Sequence, residues 1–165
     1  MLAIYEPFVR DTAISFEYET PTQEEFARRF SRHIAVYPWL VWEEDGRVLG
    51  YAYAGRLFER AAYAWNAEIS CYLAEEARGR GVGKQLYAAI EDVLRAQGVR
   101  KVYAIVTAAN EPSVAFHKAL GYREAAVFSD VGYKHGVWYD VLWLEKQLQP
   151  PGAPERFPVP WEEVK

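Results

Sequence analysis

Arg78-Gly79-Arg80-Gly81-Val82-Gly83-Lys84 is the stretch whose residue types and spacing speak most directly of chemistry. Glycines let an anion approach the backbone closely, and the arginines and lysine add positive charge. Behind the stretch, Val82, Leu86, Ile90, Val93 and Gln97 recur at three- and four-residue steps, one face of a helix that Gly98 ends. Ahead of it, Ser70 to Glu75 (SCYLAE) is apolar and aromatic enough for a buried strand. Strand, glycine turn and helix start present unpaired backbone N–H groups at the positive end of a helix dipole, a site suited to a phosphate or pyrophosphate.

Two common phosphate loops do not fit. A Walker A loop needs a glycine where this chain has Arg78 and a Ser or Thr where it has Gln85. The dinucleotide fingerprint needs a further glycine that neither Lys84 nor Leu86 supplies. A plain strand-to-helix turn is the structural alternative, and the flanking arginines argue against it.

The elements around this stretch are readable in order. Leu2, Ile4, Tyr5, Phe8 and Val9 read as a helix already under way. Ala13 to Glu17 reads as an extended loop with one buried aromatic, Phe16. Thr22 and Glu25 have capping-box spacing at the start of a second helix, with Phe26, Phe30, His33 and Ile34 on one face. Strands Leu40–Glu43 and Val48–Ala54 flank Asp45-Gly46, a strong hairpin signal, and put Tyr51 and Tyr53 on one face. A charged, aromatic loop covers Arg56–Tyr63, and a strand follows over Trp65–Leu73. Val102–Val106 is an apolar strand that completes a parallel strand–helix–strand unit. Asn110-Glu111-Pro112-Ser113 opens the next helix, which Gly121 ends. Two last strands run over Tyr122–Tyr133 and Val137–Glu145 around the turn Lys134-His135-Gly136. From Gln149 the tail is proline-rich and extended, with Phe157 and Trp161 able to dock on the body.

Composition bounds the function. The chain of 165 residues is long enough for one domain, here 1–147 plus a tail over 148–165, and its 51% hydrophobic and 16% aromatic content supports a sizeable core. A net charge of −4 disfavours nucleic acid and anionic membrane as partners. Cys71, the single cysteine, excludes an intramolecular disulfide and reads as core rather than nucleophile. His33, His117 and His135 lack metal-ligand spacing, so no metal is expected. No leader-like start and no membrane-length apolar run are present, which leaves the cytoplasm as the default location.

Arg78-x-x-Gly81-x-Gly83 resembles the acetyl-coenzyme A signature of the Gcn5-related N-acetyltransferases. A second constellation, Asn110 to Tyr122 (NEPSVAFHKALGY), resembles the pattern in which an asparagine opens a helix and Phe-Tyr-x-x-x-Gly-Phe closes it. Histidine in the tyrosine place, His117, is typical of the phosphinothricin acetyltransferase branch. Asp11-Thr12-Ala13 with Phe16-Glu17, Gly50–Ala54, Arg60–Tyr63 with Trp65, Glu68 before Ser70, and Gly132-Tyr133-Lys134 leading to Trp138–Val141 match the same branch. The resemblance covers residues 1 to about 147. It implies an α/β (α+β) fold: a mixed central sheet of six to seven strands with helices on both faces, its two central parallel strands splayed apart. Family members carry a first strand ahead of the Ile4-Tyr5 helix. This chain starts inside that helix, so the first edge strand is expected to be missing. An unpaired sheet edge invites pairing with another chain, so a homodimer or a marginally stable monomer is expected.

The implied reaction is direct acetyl transfer from acetyl-coenzyme A, a co-substrate, to the primary amine of a small molecule. Glu68 is the candidate base. Flanked by Trp65 and Tyr72, its carboxyl should be partly desolvated and its pKa raised; the alternative is a solvated strand residue. His117 is the second candidate, acting on the leaving thiolate or the amine; the alternative is a helix-surface histidine. The backbone from Arg80 to Lys84 should hold the pyrophosphate, with Arg78 and Gly79 beside it. Cys71, Tyr72 and Leu73 should receive the pantetheine arm like an added strand. A backbone N–H near Tyr72 would polarise the thioester. Asn110, with Ser113, completes the coenzyme set. For the acceptor, the resemblance points to Phe16, Glu17, Tyr53, Tyr63, Trp65, Lys134 and Trp138, each with an ordinary packing or solvated alternative. A phosphinothricin-, methionine sulfoximine- or methionine sulfone-like acceptor is the leading expectation. Another amine acceptor (a polyamine, an aminoglycoside, a protein N-terminus) and a non-catalytic acyl-coenzyme A sensor are the rivals.

Overall fold

A computed structural model of the chain describes residues 1–164. Its elements are α1 (Leu2–Asp11), α2 (Gln23–Ile34), β1 (Trp39–Glu44), β2 (Arg47–Arg56), β3 (Asn66–Leu73), α3 (Val82–Gln97), β4 (Lys101–Thr107), α4 (Glu111–Ala119), β5 (Arg123–Lys134) and β6 (Val137–Gln147). The strands form one six-stranded sheet in the order β1-β2-β3-β4-β6-β5. Only β3 and β4 run parallel; the other neighbours are antiparallel.

Alternation along β2 sorts the two faces. Ala52 and Ala54 face α3, where Val82, Leu86, Ile90 and Leu94 bury a full apolar stripe with Val102, Ala104 and Leu144. Burying each of those large side chains contributes about 1.5–3 kcal/mol. Tyr51 and Tyr53 face the other way, under α1 and α2. There they stack on Trp39, at 5.7 and 4.3 Å between ring centroids. Both hairpins close as the sequence requires: Asp45 (φ 49) with Gly46 (φ 76), and His135 (φ 51) with Gly136 (φ 80), take the left-handed pair of a type I′ turn.

Several local expectations change. In the Ala13–Glu17 loop the buried residue is Ser15, whose hydroxyl lies 2.7 Å from that of Tyr5, and Phe16 stays exposed. Thr22 caps α2 by accepting from the Glu25 N–H at 3.2 Å, but the Glu25 carboxylate pairs with Arg29 instead of closing a capping box. The third strand ends at Leu73 as expected, but the Ser70–Glu75 run is strand only that far, and Glu75–Ala77 form a short 3₁₀ turn. Lys134 belongs to β5, not to the turn.

The tail docks. Val159 N–H bonds the Gln97 carbonyl at 3.0 Å, the Gln97 amide reaches Val36 and Val159 carbonyls at 2.9 and 2.7 Å, and the Trp161 indole donates to Ile34. It thereby ties the end of α2 to the end of α3.

Candidate active site

The site is made by a divergence in the sheet. β3 and β4 pair only from Asn66–Glu68 against Lys101–Tyr103. Beyond Glu68, β3 keeps its antiparallel partner β2 through Leu73 but has no strand on its other edge. A cavity of about 610 Å³ opens there, walled by Ile69–Leu73 on one side and Ala104–Thr107 on the other. The unpaired backbone edge of β3 is thus available to an amide-bearing chain laid alongside it. This is also why Ser70 to Leu73 are half-buried rather than core.

At one end the cavity meets the N-terminus of α3. Gly79 (φ 72) and Gly81 (φ 79) adopt the left-handed backbone that turns the chain into the helix. A Cβ at either position would meet nothing within 4 Å, so backbone conformation, not crowding, calls for glycine there. Arg78, Gly79, Gly81, Val82, Gly83 and Lys84 all line the cavity. Arg80 does not: its guanidinium pairs with Glu44 at 2.6 Å and bonds the Glu76 carbonyl at 3.2 Å. Its expected place at the anion is therefore limited to the backbone. The Arg78 side chain lies 5.3 Å over the Phe8 ring and bonds the Leu73 carbonyl at 3.3 Å.

The opposite wall is the start of α4. Asn110 Oδ1 accepts from the Ser113 N–H at 3.3 Å, capping the helix and leaving the carboxamide NH₂ for a ligand. His117 is 4% exposed, so it is no surface histidine. Its Nδ1 lies 2.7 Å from the Ser113 carbonyl, and its Nε2 lies 2.7 Å from the Tyr87 hydroxyl. A carbonyl only accepts, so Nδ1 carries the hydrogen. Burial holds the ring below its ordinary pKa of 6.5, so it is neutral near pH 7 and Nε2 accepts from Tyr87.

Glu68 stands at the last paired position, facing Tyr103 across the β3–β4 ladder, one residue before the cavity wall begins. Burial alone raises its carboxyl pKa above the ordinary 4.5. Alternation puts Glu68, Ser70 and Tyr72 on the face opposite the α3 core, while Ile69 and Cys71 turn toward it. Burial pushes the Cys71 thiol up to about 12, so it is neutral and no nucleophile.

The expected acceptor residues are more scattered. Glu17 accepts from Tyr5 at 2.8 Å and pairs with Arg29 at 2.6 Å. Tyr53 lies in the Trp39 stack. Tyr63 packs on Phe58, 4.8 Å between centroids. Trp65 turns to the tail, donating to the Arg156 carbonyl at 2.9 Å and packing on Phe157. Trp138 is exposed against Tyr133, and Phe16 lies over Gly132, where it leaves no room for a side chain. Lys134 is 1% exposed, and its ammonium donates to the Val9 and Ser15 carbonyls at 2.6 and 2.7 Å. That corrects both readings of Lys134: it is neither solvated nor free to meet an acceptor's anion, and instead pins the loop after α1. Phe8, Ile14, Tyr87, Ile105 and Thr107 also line the cavity, and none of them belongs to a recognisable motif. Of these, Tyr87 alone carried a signal, one step from Leu86 on the helix that begins at the glycine turn.

The Acetyltransferase (GNAT) domain family matches residues 1–143. Phosphinothricin N-acetyltransferase of Streptomyces viridochromogenes is 35% identical over 151 residues, covering 92% of this chain and 82% of that protein. The L-methionine sulfoximine/L-methionine sulfone acetyltransferase of Salmonella typhimurium is 31% identical over 153 residues, covering 92% of this chain and 90% of its own. In three dimensions, a crystal structure of a phosphinothricin acetyltransferase from Sinorhizobium meliloti in complex with acetyl-coenzyme A superimposes with a TM-score of 0.84 at 36% identity, over 88% of this chain and 80% of that one. The splayed parallel pair, the glycine turn at a helix start and these likenesses lead to one conclusion: the chain belongs to the GNAT acetyltransferase family.

Proposed function

We propose that this protein transfers the acetyl group of acetyl-coenzyme A to the primary amine of a small amino-acid analogue of the phosphinothricin, methionine sulfoximine or methionine sulfone type. The observation that carries the reading is the joining, in one cavity, of the α3 N-terminus, the unpaired edge of β3 and the buried His117. The relatives that act on such acceptors support the acceptor class.

In this reading the N–H groups from Arg80 to Lys84 hold the pyrophosphate. The backbone of Cys71–Leu73 takes the pantetheine amides, with the Asn110 carboxamide as a further donor. A β3 backbone N–H near Tyr72 polarises the thioester oxygen. Glu68, its pKa raised by burial, takes a proton from the arriving ammonium, directly or through water. Phe16, Glu17, Tyr53, Tyr63 and Trp138 remain proposed neighbours of the acceptor. A cytoplasmic homodimer is part of the same proposal; the exposed apolar side chains Val127, Phe128, Val131, Tyr133, Val137 and Trp138 on the β5–β6 hairpin support self-association. Among the described residues, no helix is long and apolar enough to cross a membrane.

A thiol-release assay with acetyl-coenzyme A and a panel of amines tests the acceptor. Turnover is expected to be fastest with phosphinothricin, methionine sulfoximine or methionine sulfone. Preference for a polyamine or aminoglycoside would replace the acceptor class, and absence of turnover with every amine would favour a non-catalytic acyl-coenzyme A binder.

A further inference from the structure

Tyr87 and His117 form a closed polar pair in an otherwise apolar surround. Phe116 and Tyr122 pack against both rings, with centroids between 5.2 and 6.0 Å. The two residues are 2% and 4% exposed, yet both line the cavity. Their hydrogen bonds run in one direction: Tyr87 O–H to His117 Nε2, and His117 Nδ1–H to the Ser113 carbonyl. Nε2 is therefore shielded behind the Tyr87 hydroxyl, and a proton reaching His117 at that nitrogen passes through Tyr87. The titratable side chains against Tyr87 are His117 and Tyr122, and Cys71 on β3, Glu91 on its own helix, and Tyr53 and Glu68 across the sheet act on it electrostatically from further off. Cys71 is held neutral, and Glu91 is engaged by Lys146 and Tyr122 at 2.7 and 3.0 Å.

We propose that Tyr87 and His117 act as one proton shuttle, moving a proton from the nitrogen to the sulfur of the tetrahedral adduct. The proposal rests on the acetyl-transfer reading above. Once the amine nitrogen has bonded to the acetyl carbon, it carries a proton that must leave, while the C–S bond must break and its sulfur must gain one. Nitrogen and sulfur are then bonded to the same carbon, so one hydroxyl can serve both. The Tyr87 oxygen takes the nitrogen's proton as its own passes to His117 Nε2, giving an imidazolium. As the thiolate departs, Tyr87 gives it a proton and recovers one from the imidazolium. Tyr87 and His117 end as they began. The remaining proton, that of the arriving ammonium, goes to Glu68, so the two candidate bases serve different protons.

The test is single-turnover acetyl transfer to methionine sulfone, measured by rapid quench for the wild type, Tyr87→Phe, His117→Ala and the double variant. Phenylalanine keeps the ring packing and removes only the hydroxyl. The expected result is a roughly 10²-fold slower transfer for Tyr87→Phe, with acetyl-coenzyme A affinity by calorimetry unchanged and circular dichroism confirming the fold; the melting temperature should fall modestly, because His117 Nε2 loses its buried donor. The double variant should be no slower than the slower single, because either change breaks the same relay. The rate in mixed H₂O and D₂O should depend on isotope fraction with curvature in the wild type and linearly in Tyr87→Phe. Transfer by Tyr87→Phe within about twofold of wild type, or multiplicative losses in the double variant, would overturn the shuttle alone. Absence of transfer by the wild type would overturn the acetyl-transfer reading with it. Should Tyr87→Phe fail to fold, ¹⁵N shifts of His117 in the wild-type protein decide: a neutral ring protonated at Nδ1 is expected, and an Nε2–H tautomer at neutral pH would overturn the assignment.

Discussion

Replacing Gly81 with glutamate should eliminate acetyl-coenzyme A binding, and the structure separates two reasons. Gly81 sits at φ 79, so any side chain there carries the strain of left-handed backbone, about 1–2 kcal/mol. The added Cβ itself meets nothing within 4 Å, so the folded protein should survive. The larger effect is charge. A carboxylate about 4 Å from a phosphate, at an effective dielectric of about 20, is repelled by about 4 kcal/mol, close to a thousandfold in affinity. Gly81→Asn is the control, since asparagine tolerates left-handed backbone and carries no charge; it should bind within about tenfold of wild type. Calorimetry with acetyl-coenzyme A on both variants, with circular dichroism to confirm folding, measures the difference. Wild-type affinity in a folded Gly81→Glu protein would refute the assignment of the α3 N-terminus as the pyrophosphate site.

Glu68→Gln should lower kcat by about 10²–10⁴ while leaving coenzyme affinity unchanged. It should also stabilise the fold at neutral pH. Burial raises the folded-state pKa of Glu68 above 4.5, so the folded chain holds the proton more tightly than the unfolded chain, and stability is lost as pH rises through the folded value. Glutamine escapes that loss, so its advantage in thermal melts should vanish below pH 4.5; a gain that persists in acid would contradict this. Lys134→Met removes two charge-assisted bonds to the Val9 and Ser15 carbonyls. It should destabilise by about 3 kcal/mol or more and raise the acceptor KM with little change in coenzyme affinity; a neutral melt would count against the pin. Deleting the tail after Gln149 frees the Gln97 amide and the Trp161 dock. It should lower the melting temperature yet spare coenzyme binding, and an unchanged melt would show the tail contributes little.

Much of this site was legible because local chemistry determines it. The glycines, the helix stripe behind them and Asn110 at a helix start act over a few residues, so their spacing alone locates the turn and the caps. Long-range partners were not legible. Nothing in the sequence says that Lys134, next to a turn, reaches back to the carbonyls of Val9 and Ser15, or that Arg80 leaves the anion side for Glu44. Tyr87 lay hidden for the same reason: its partner His117 is 30 positions away, and only the packing of α4 on α3 brings them together. Phe16 was misplaced because an aromatic in a loop predicts burial by type, whereas Ser15 is the residue that Tyr5 draws inward. Trp65 matched the branch motif yet faces the tail, an attachment that proline-rich composition does not encode.

The central claim is that acetyl-coenzyme A lies along the unpaired edge of β3 and against the start of α3. Amide hydrogen exchange with and without acetyl-coenzyme A tests it most directly. Added coenzyme should slow exchange over residues 69–73 and 79–84 and leave the β5–β6 hairpin turn at His135-Gly136 unchanged. Saturating acetyl-coenzyme A that leaves both segments exchanging as before, or that protects another part of the sheet, would contradict it.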